Sequence, residues 1–370
     1  MKQTIVIVAF LALATPAHAQ LGGLGGAMKK AQQAQEAKQK VDDLTFSEEE
    51  EQKLGQDVSL KIRQRFGVVQ DPAVHKYVTL VGMVLANASD RPKLSWTFIV
   101  LDTDGVNAFA SPGGYVHITR GALGLIKNEA ELAGVLAHEI GHVTRKHTIN
   151  ALRKNAAVKL GTDQAGGRAG LIAAAANAMY DNIIENAYDR GDELDADKVS
   201  VELTPKVGYK ASTLGDFLTR LDERKKSQAE RNGLFASHPD TKERIAKIGQ
   251  LAAAANTTAL GESRYQTNIK YQPTDITAIA VVTEGSSGLA GGGKEPEKKE
   301  EPKKEEPKKG LGLGSLKQTV APEKQSAQVS ASGGARGVGA DRAAKGGSNP
   351  NPVKVTVSAA EVDAFKKGIA

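Results

Sequence analysis

His138-Glu139-Ile140-Gly141-His142 is the stretch on which the reading of this chain turns. Two histidines four residues apart lie on nearly the same face of a helix, because four residues turn through about 400°. His138 and His142 can therefore offer imidazole nitrogens to one tetrahedral metal ion. Glu139 lies about 100° round the axis and points beside the ion, where a base must stand to take a proton from an attacking water. The helix around the motif is legible as well. Asn128 is a capping residue, Glu129 and Glu131 open the first turn, and Leu132, Val135, Leu136, Ile140 and Val143 recur at helical spacing on the buried side. The competing reading is a chance HExxH in an ordinary helix. The apolar period and the export signal described below argue against it.

Two histidines leave the coordination incomplete, since catalytic zinc takes three protein ligands and a water. A longer motif would have a glycine three residues after the second histidine and a further histidine three residues beyond, but Arg145 and Thr148 stand there. His147 falls one residue short and reads as a solvated histidine at a helix end. The best source of the third ligand is Glu193-Leu194-Asp195-Ala196-Asp197, on a helix expected over about 181–203 that ends before Pro205. Glu193 and Asp197 are four apart, so both can face the motif helix. Glu193 can ligate the metal while Asp197 accepts the outer N–H of a ligating histidine. The same spacing also fits an ordinary charged helix face.

Working outward, Ser47 and Glu50 form a capping-box pattern for a helix from Glu48 to about Arg65, and Asp71-Pro72 starts another through about Ala88. Residues 94–101, 106–110 and 114–118 read as extended, with the Ser111-Pro112-Gly113 turn between the last two. They predict a small sheet of about three strands, after which Thr119 caps a short helix through Ile126. Residues 161–170 are Gly-rich and read as a loop. Helices are expected over 211–229 and from Pro239 to about Ala254, and a terminal hairpin over 265–282. The fold class is α+β, mostly helical, over residues 46–284. Residues 285–352 are Gly, Pro, Lys, Glu and Ser and read as a disordered linker. Residues 353–370 read as a short C-terminal strand and helix with Val362 and Phe365 on one face, or as a frayed tail.

Hydrophobic residues make up 40% of the 370 and charged residues 25%, which places one sizeable core within reach. The net charge of +6 is modest, and the tract 294–309 nearly cancels itself with seven Lys and six Glu. No basic patch interleaved with aromatics appears, so no nucleic-acid partner is indicated. Cys is absent, which excludes disulfides, thiolate metal sites, a Cys nucleophile and a lipid-bearing Cys. Any metal must use His and carboxylates. Residues 1–19 read as a cleavable signal peptide: Lys2, an apolar run over 5–14, then Ala17-His18-Ala19 before Gln20. That run is half the length of the about 20 residues a membrane span needs, and 169–179 is also too short. Residues 20–45 read as a mobile lead-in, and the mature chain is expected to lack a transmembrane span.

Four blocks now stand in order: Asn107-Ala108-Phe109-Ala110 with Pro112-Gly113-Gly114, then HEIGH, then residues 190–197, then His238-Pro239 with Arg244-Ile245. Across about 45–255 the chain resembles the gluzincin metallopeptidases related to the CAAX prenyl protease and HtpX, and looks closest to their periplasmic, BepA-like branch. The resemblance implies a zincin-like metallopeptidase domain with one Zn2+ per chain, held by His138, His142 and Glu193, with Asp197 behind them. It also implies that His238 sits near the metal, where in resting members it takes the water's position. From the residues alone His238 is a loop histidine before a helix. The implied reaction is hydrolysis of internal peptide bonds in unfolded or misassembled envelope proteins. Glu139 is the general base, and Arg244, Tyr188 and His238 are candidates for the group facing the oxyanion. Gly113, Gly114 and Tyr115 would bind substrate, with 115–118 as an edge strand that takes it in extended form. The periplasm is the expected compartment, peripheral attachment to the membrane is compatible with it, and outer-membrane assembly machinery is a partner by analogy. Asp195 departs from the Glu often found in the family, helical repeats of 34-residue period are missing, and so are the spans of the integral members. A zinc-dependent peptidoglycan or small-peptide hydrolase and a non-catalytic chaperone or assembly factor are the competing functions.

Overall fold

Ser47 starts the first helix by closing a capping box: its hydroxyl accepts from Glu50 N at 3.2 Å while the Glu50 carboxylate accepts from Ser47 N at 3.0 Å. The computed structural model describes residues 44–159, 167–185, 188–227, 238, 241–274, 280–281, 330–331 and 349–369. They divide into two units, one containing residues 44–45 and 153–159 and the other the remaining described residues. In the first, Arg153 Nε donates to the Leu44 carbonyl at 3.2 Å. The second holds the fold and the site.

Helix α1 (Glu48–Phe66) is followed by α2 (Pro72–Ala88), where Asp71 caps Ala73 and Val74 and the stripe Val74, Tyr77, Val78, Val81 and Val84 is buried. Three strands come next, β1 (Thr97–Leu101), β2 (Ala108–Ser111) and β3 (Tyr115–Thr119), in the order β1-β3-β2. Strand β3 runs parallel to β1, pairing Phe98 with Val116, and antiparallel to β2, pairing Ala110 with Val116. It is therefore the central strand, and both its edges are used. The expectation that Tyr115 and the residues after it form an edge strand for substrate is overturned by this topology. The glycines before it serve another purpose. Gly113 has φ 71°, and a Cβ there would stand 2.7 Å from Gln52 Cα, so the turn presses its backbone against α1. Tyr115 extends the same contact, its hydroxyl accepting from Gln52 Nε2 at 3.2 Å.

Thr119 caps α3 (Arg120–Leu125), and Asn128 caps α4 (Glu129–Thr144) by accepting from Glu131 N at 2.9 Å. Every residue from Glu129 to Val143 is buried, which makes α4 the central helix of the core. Around it lie α5 (His147–Lys159), α6 (Gly167–Glu185), α7 (Arg190–Lys206), α8 (Thr213–Ser227), α9 (Thr241–Ala252) and α10 (Glu262–Asn268). The architecture is the α+β class expected, mostly helical with a three-stranded mixed sheet. Among the described residues no helix is long and apolar enough to cross a membrane.

Four local expectations need correction. The helix expected over 181–203 is two helices, because α6 continues to Glu185 and α7 begins at Arg190. Residues 167–170, read as loop, open α6, while 161–166 lie outside the described residues. Pro205 does not stop α7; it lies in the last turn, where it removes one helical N–H, and the helix then closes with Val207 and Gly208 bonding back three residues. The hairpin expected from 265 is absent at its start. Tyr265 and Ile269 are both buried, and their spacing of four is that of α10, not of a strand.

The signal peptide, most of the lead-in, Pro239 and most of the linker fall outside the described residues. Two pieces of the stretch read as linker are described: β5 (Ser330–Ala331) pairs antiparallel with β4 (Ala280–Val281), and residues 349–351 lie along the end of α1 and the connection from it to α2. There Val68 N donates to the Asn349 carbonyl at 2.8 Å, and Gln70 Nε2 to that of Asn351 at 3.2 Å. The chain then enters α11 (Ala359–Lys367), headed by a second capping box at Ser358. Val362 and Ile369 are buried in the main core, Phe365 meets Tyr77 edge-on at 6.1 Å, and Lys76 pairs with Glu361 at 2.7 Å. The packed helix is the better of the two readings of this segment. Ile369→Ala should therefore cost about 2 kcal/mol in urea unfolding, the low end for a buried Ile near a surface. A frayed tail would show no change.

Candidate active site

Helix α4 presents His138, Glu139 and His142, and α7 crosses it closely enough to add Glu193 and Asp197. Gly141, inside the motif, permits that approach: a Cβ there would lie 3.1 Å from Ala196 Cα. His238 and, from α9, Arg244 complete the group. His138, His142, Glu193 and His238 each offer a donor atom within 4.8 Å of the others, and all four are buried. The two Nε2 atoms of His138 and His142 are 3.0 Å apart. Glu193 Oε1 lies 3.4 Å from His142 Nε2, and Oε2 lies 3.6 Å from His138 Nε2. Ligands on a tetrahedral zinc at about 2.0–2.1 Å stand about 3.3 Å from one another, so the His-His-Glu triangle has the dimensions of such a site.

The charges suit it. Burial alone would raise the Glu193 carboxyl, but His238 and Arg244 outweigh it and hold it well below the usual carboxylate range. Burial lowers His142 well below an ordinary histidine, so its ring is neutral and keeps a lone pair. For Glu139 burial wins: the carboxyl is raised, with His238 and His138 opposing. Both Glu139 oxygens are buried without a hydrogen-bond partner among the described residues. A carboxylate left in that state costs stability, and such costs collect where chemistry is done.

Behind the donors, Asp197 Oδ1 lies 2.9 Å from His138 Nδ1, the atom facing away from the cluster. Arg244 grips Asp197 through Nε and a terminal nitrogen at 2.8 and 2.7 Å, and its other terminal nitrogen lies 2.7 Å from Glu193 Oε2. That same nitrogen also donates to the His238 carbonyl at 3.4 Å. Against burial, the hydrogen bonds from Arg244 and His138 bring the Asp197 pKa down to about 2. All three guanidinium nitrogens are thus engaged. The expectation that Arg244 faces an oxyanion gives way to a role in holding the two carboxylates of α7.

Tyr188, another candidate for that task, lies flat on His142 with ring centres 4.0 Å apart, and its hydroxyl is 2.9 Å from Thr148 Oγ1. His238 remains beside Glu139. Its Nε2 is 3.9 Å from Glu139 Oε1, and its Nδ1 is 2.8 Å from Glu193 Oε1. Burial disfavours its charge, yet Glu193 and Glu139 together raise its pKa. Gly113, Gly114 and Tyr115 belong to the β2–β3 turn against α1, and the cluster draws on none of them.

The sequence reading missed His147. It is 4% exposed, with Nδ1 3.0 Å from His142 Nδ1 and Nε2 3.3 Å from Asp195 Oδ2. Helix α4 stops at Thr144, and Lys146 at φ 57° turns the chain so that α5 begins with His147 facing back. An ion pair from Lys146 Nζ to the buried Glu51 at 2.8 Å holds this left-handed residue, a conformation that costs a Lys about 1–2 kcal/mol. With no Gly or Asn at that place, nothing in the sequence announced the turn.

Residues 72–252 match the profile of peptidase family M48. A Vibrio cholerae protein carrying the name beta-barrel assembly-enhancing protease is 30% identical over 194 residues, covering 50% of this chain and 40% of its own. The metalloprotease YcaL of Escherichia coli is 31% identical over 153 residues, 40% of this chain and 58% of its own. Mitochondrial metalloendopeptidase OMA1 of Schizosaccharomyces pombe is 25% identical over 201 residues, 54% and 60% of the two chains. The chain spans less than half the length of the beta-barrel assembly-enhancing proteases it matches.

Proposed function

We propose that this chain, whose residues 72–252 match the profile of peptidase family M48, is a zinc-dependent endopeptidase acting on unfolded or misassembled envelope proteins. The observation that carries the reading is the buried convergence of His138, His142 and Glu193, with a Glu139 beside them whose oxygens accept no hydrogen bond among the described residues. Zinc held by those three would polarise a scissile carbonyl and lower the pKa of water to about 7. Glu139 takes the attacking water's proton and returns it to the leaving amine, a shuttle that its raised pKa favours. Asp197 keeps the His138 proton on Nδ1, so that Nε2 faces the cluster as a lone pair. His238 sits within the donor group and must leave Glu193 before water and substrate can enter. That placement supports a gate. Once displaced, it is the cation best placed to face the oxyanion, now that Arg244 is committed elsewhere.

Substrate selection follows from the sheet. Val68 bridges the outer side of β1 at Leu101, and β3 is central, so among the described residues the outer edge of β2 is the edge we assign to an extended substrate; its four residues are buried, so whatever covers them must open first. Backbone pairing reads unfolded chain rather than a tight consensus. The names of the relatives support β-barrel assembly machinery as a partner, and the apolar leader supports the periplasm.

The test is metal content. Purified wild type should carry one zinc per chain by elemental analysis, and Glu193→Ala should lose most of it under the same dialysis. A Glu193→Ala protein that keeps one zinc per chain sinks the proposed ligand set.

A further inference from the structure

We propose that His147 is a positioning residue for His142: it accepts the Nδ1 proton of His142 and is itself tied through Nε2 to Asp195. The proposal rests on the reading of His142 as a ligand. The geometry divides the His142 ring cleanly. Nε2 faces His138 and Glu193, and Nδ1 faces His147 Nδ1 at 3.0 Å. Two imidazole nitrogens at that distance need one proton between them, so one ring donates and the other accepts. If His142 is to offer Nε2 as a lone pair, its proton must be on Nδ1, and His147 must then accept. His147 in turn carries its proton on Nε2, which lies 3.3 Å from Asp195 Oδ2 and 3.9 Å from Asp192 Oδ1. Three groups thus set one tautomer. Arg145 holds the end of the relay, with Nε 3.5 Å from Asp195 Oδ2.

The two histidines of the motif are supported differently. His138 meets a buried carboxylate directly, while His142 meets a ring that passes the contact to carboxylates nearer the surface. Tyr188 stacked on the outer face of His142 fixes the plane in which the relay operates. An outer partner of this kind is worth about 10–100-fold in metal affinity. The departure at Asp195 then has a consequence, because the carboxylate at that position closes the relay.

The experiment uses the full chain and zinc with a competing chelator. His147→Leu keeps the volume and removes the acceptor, and should weaken zinc binding about 10–100-fold. His147→Asn places a carbonyl near the Nδ1 position and should recover most of that loss. Asp195→Ala, at a partly exposed residue, should weaken binding less, with the fold intact by circular dichroism. Tautomers give a readout that folding alone would not move. In long-range proton–nitrogen spectra of the zinc-loaded protein, His142 should carry its proton on Nδ1, slow to exchange with solvent in wild type and faster to exchange in His147→Leu. Zinc affinity within twofold of wild type in His147→Leu, or a wild-type His142 with its proton on Nε2, overturns the proposal. His142→Ala separates the two readings: if it keeps wild-type affinity, the ligand assignment itself is wrong; if it loses zinc while His147→Leu does not, only the relay is.

Discussion

Glu139→Gln is expected to lower peptide-bond hydrolysis by about 10²–10⁴-fold while zinc content stays at one per chain. The change keeps the shape of the side chain and removes only its ability to take a proton. Glu139 lies beside the donor triangle rather than in it, so the metal should not notice. Stability should move the other way. The carboxylate is buried, and neither oxygen has a hydrogen-bond partner among the described residues, so replacing it with a neutral amide removes a desolvation cost. A variant that is inactive, zinc-loaded and at least as resistant to heat as wild type isolates the chemical role. Cleavage of an unfolded casein under single-turnover conditions, elemental analysis and a melting curve provide the three readings. Activity within tenfold of wild type would remove Glu139 as the base. No cleavage by the zinc-loaded wild type itself would instead make the non-catalytic assembly factor the better account of the chain.

Legibility in the sequence followed the range of the interactions involved. Caps at Ser47, Asp71, Thr119 and Asn128 act within three residues, and each appears where its own side chain and the next turn dictate. The three strands and the motif helix are written in local periodicity and were equally readable. Strand order was not, because whether β3 is central depends on β1 crossing to pair with it, which no local pattern encodes. The two halves of the site were legible as residue types with fixed spacing, Glu193 and Asp197 being one turn apart on α7. What joins them was not. The commitment of Arg244 to Asp197 and Glu193 is a contact across 47 and 51 positions of chain, and its sequence signature is one more arginine on a helix. His147 failed for a related reason. Its role depends on a left-handed Lys146 stabilised by Glu51 from α1, so the helix end looked solvated until that distant partner was in place.

Arg244→Met should destabilise the metal-free protein by about 3–5 kcal/mol, the loss expected when one partner of a buried ion pair is removed. Arg244 is 2% exposed, and Met fills much the same volume, so the loss is one of charge compensation and not of packing. Asp197 would keep only His138 and Glu193 only His238, so neither would retain the guanidinium fork that now spans both. Arg244→Lys should fall between wild type and Met, because a single ammonium cannot reproduce the fork that spans both carboxylates. Zinc supplies positive charge to Glu193 when bound, so the deficit measured with zinc present should be smaller than with chelator. The decisive comparison is a double-variant cycle in urea. If the cost arises from an uncompensated carboxylate, adding Asp197→Asn to Arg244→Met should recover part of it, although Asp197→Asn alone destabilises. Recovery of this kind is incompatible with a simple cavity, which a second substitution would only enlarge. A single-variant loss below about 1 kcal/mol, or a double variant less stable than either parent, would mean that Arg244 is not what holds the two carboxylates of α7 in their charged state.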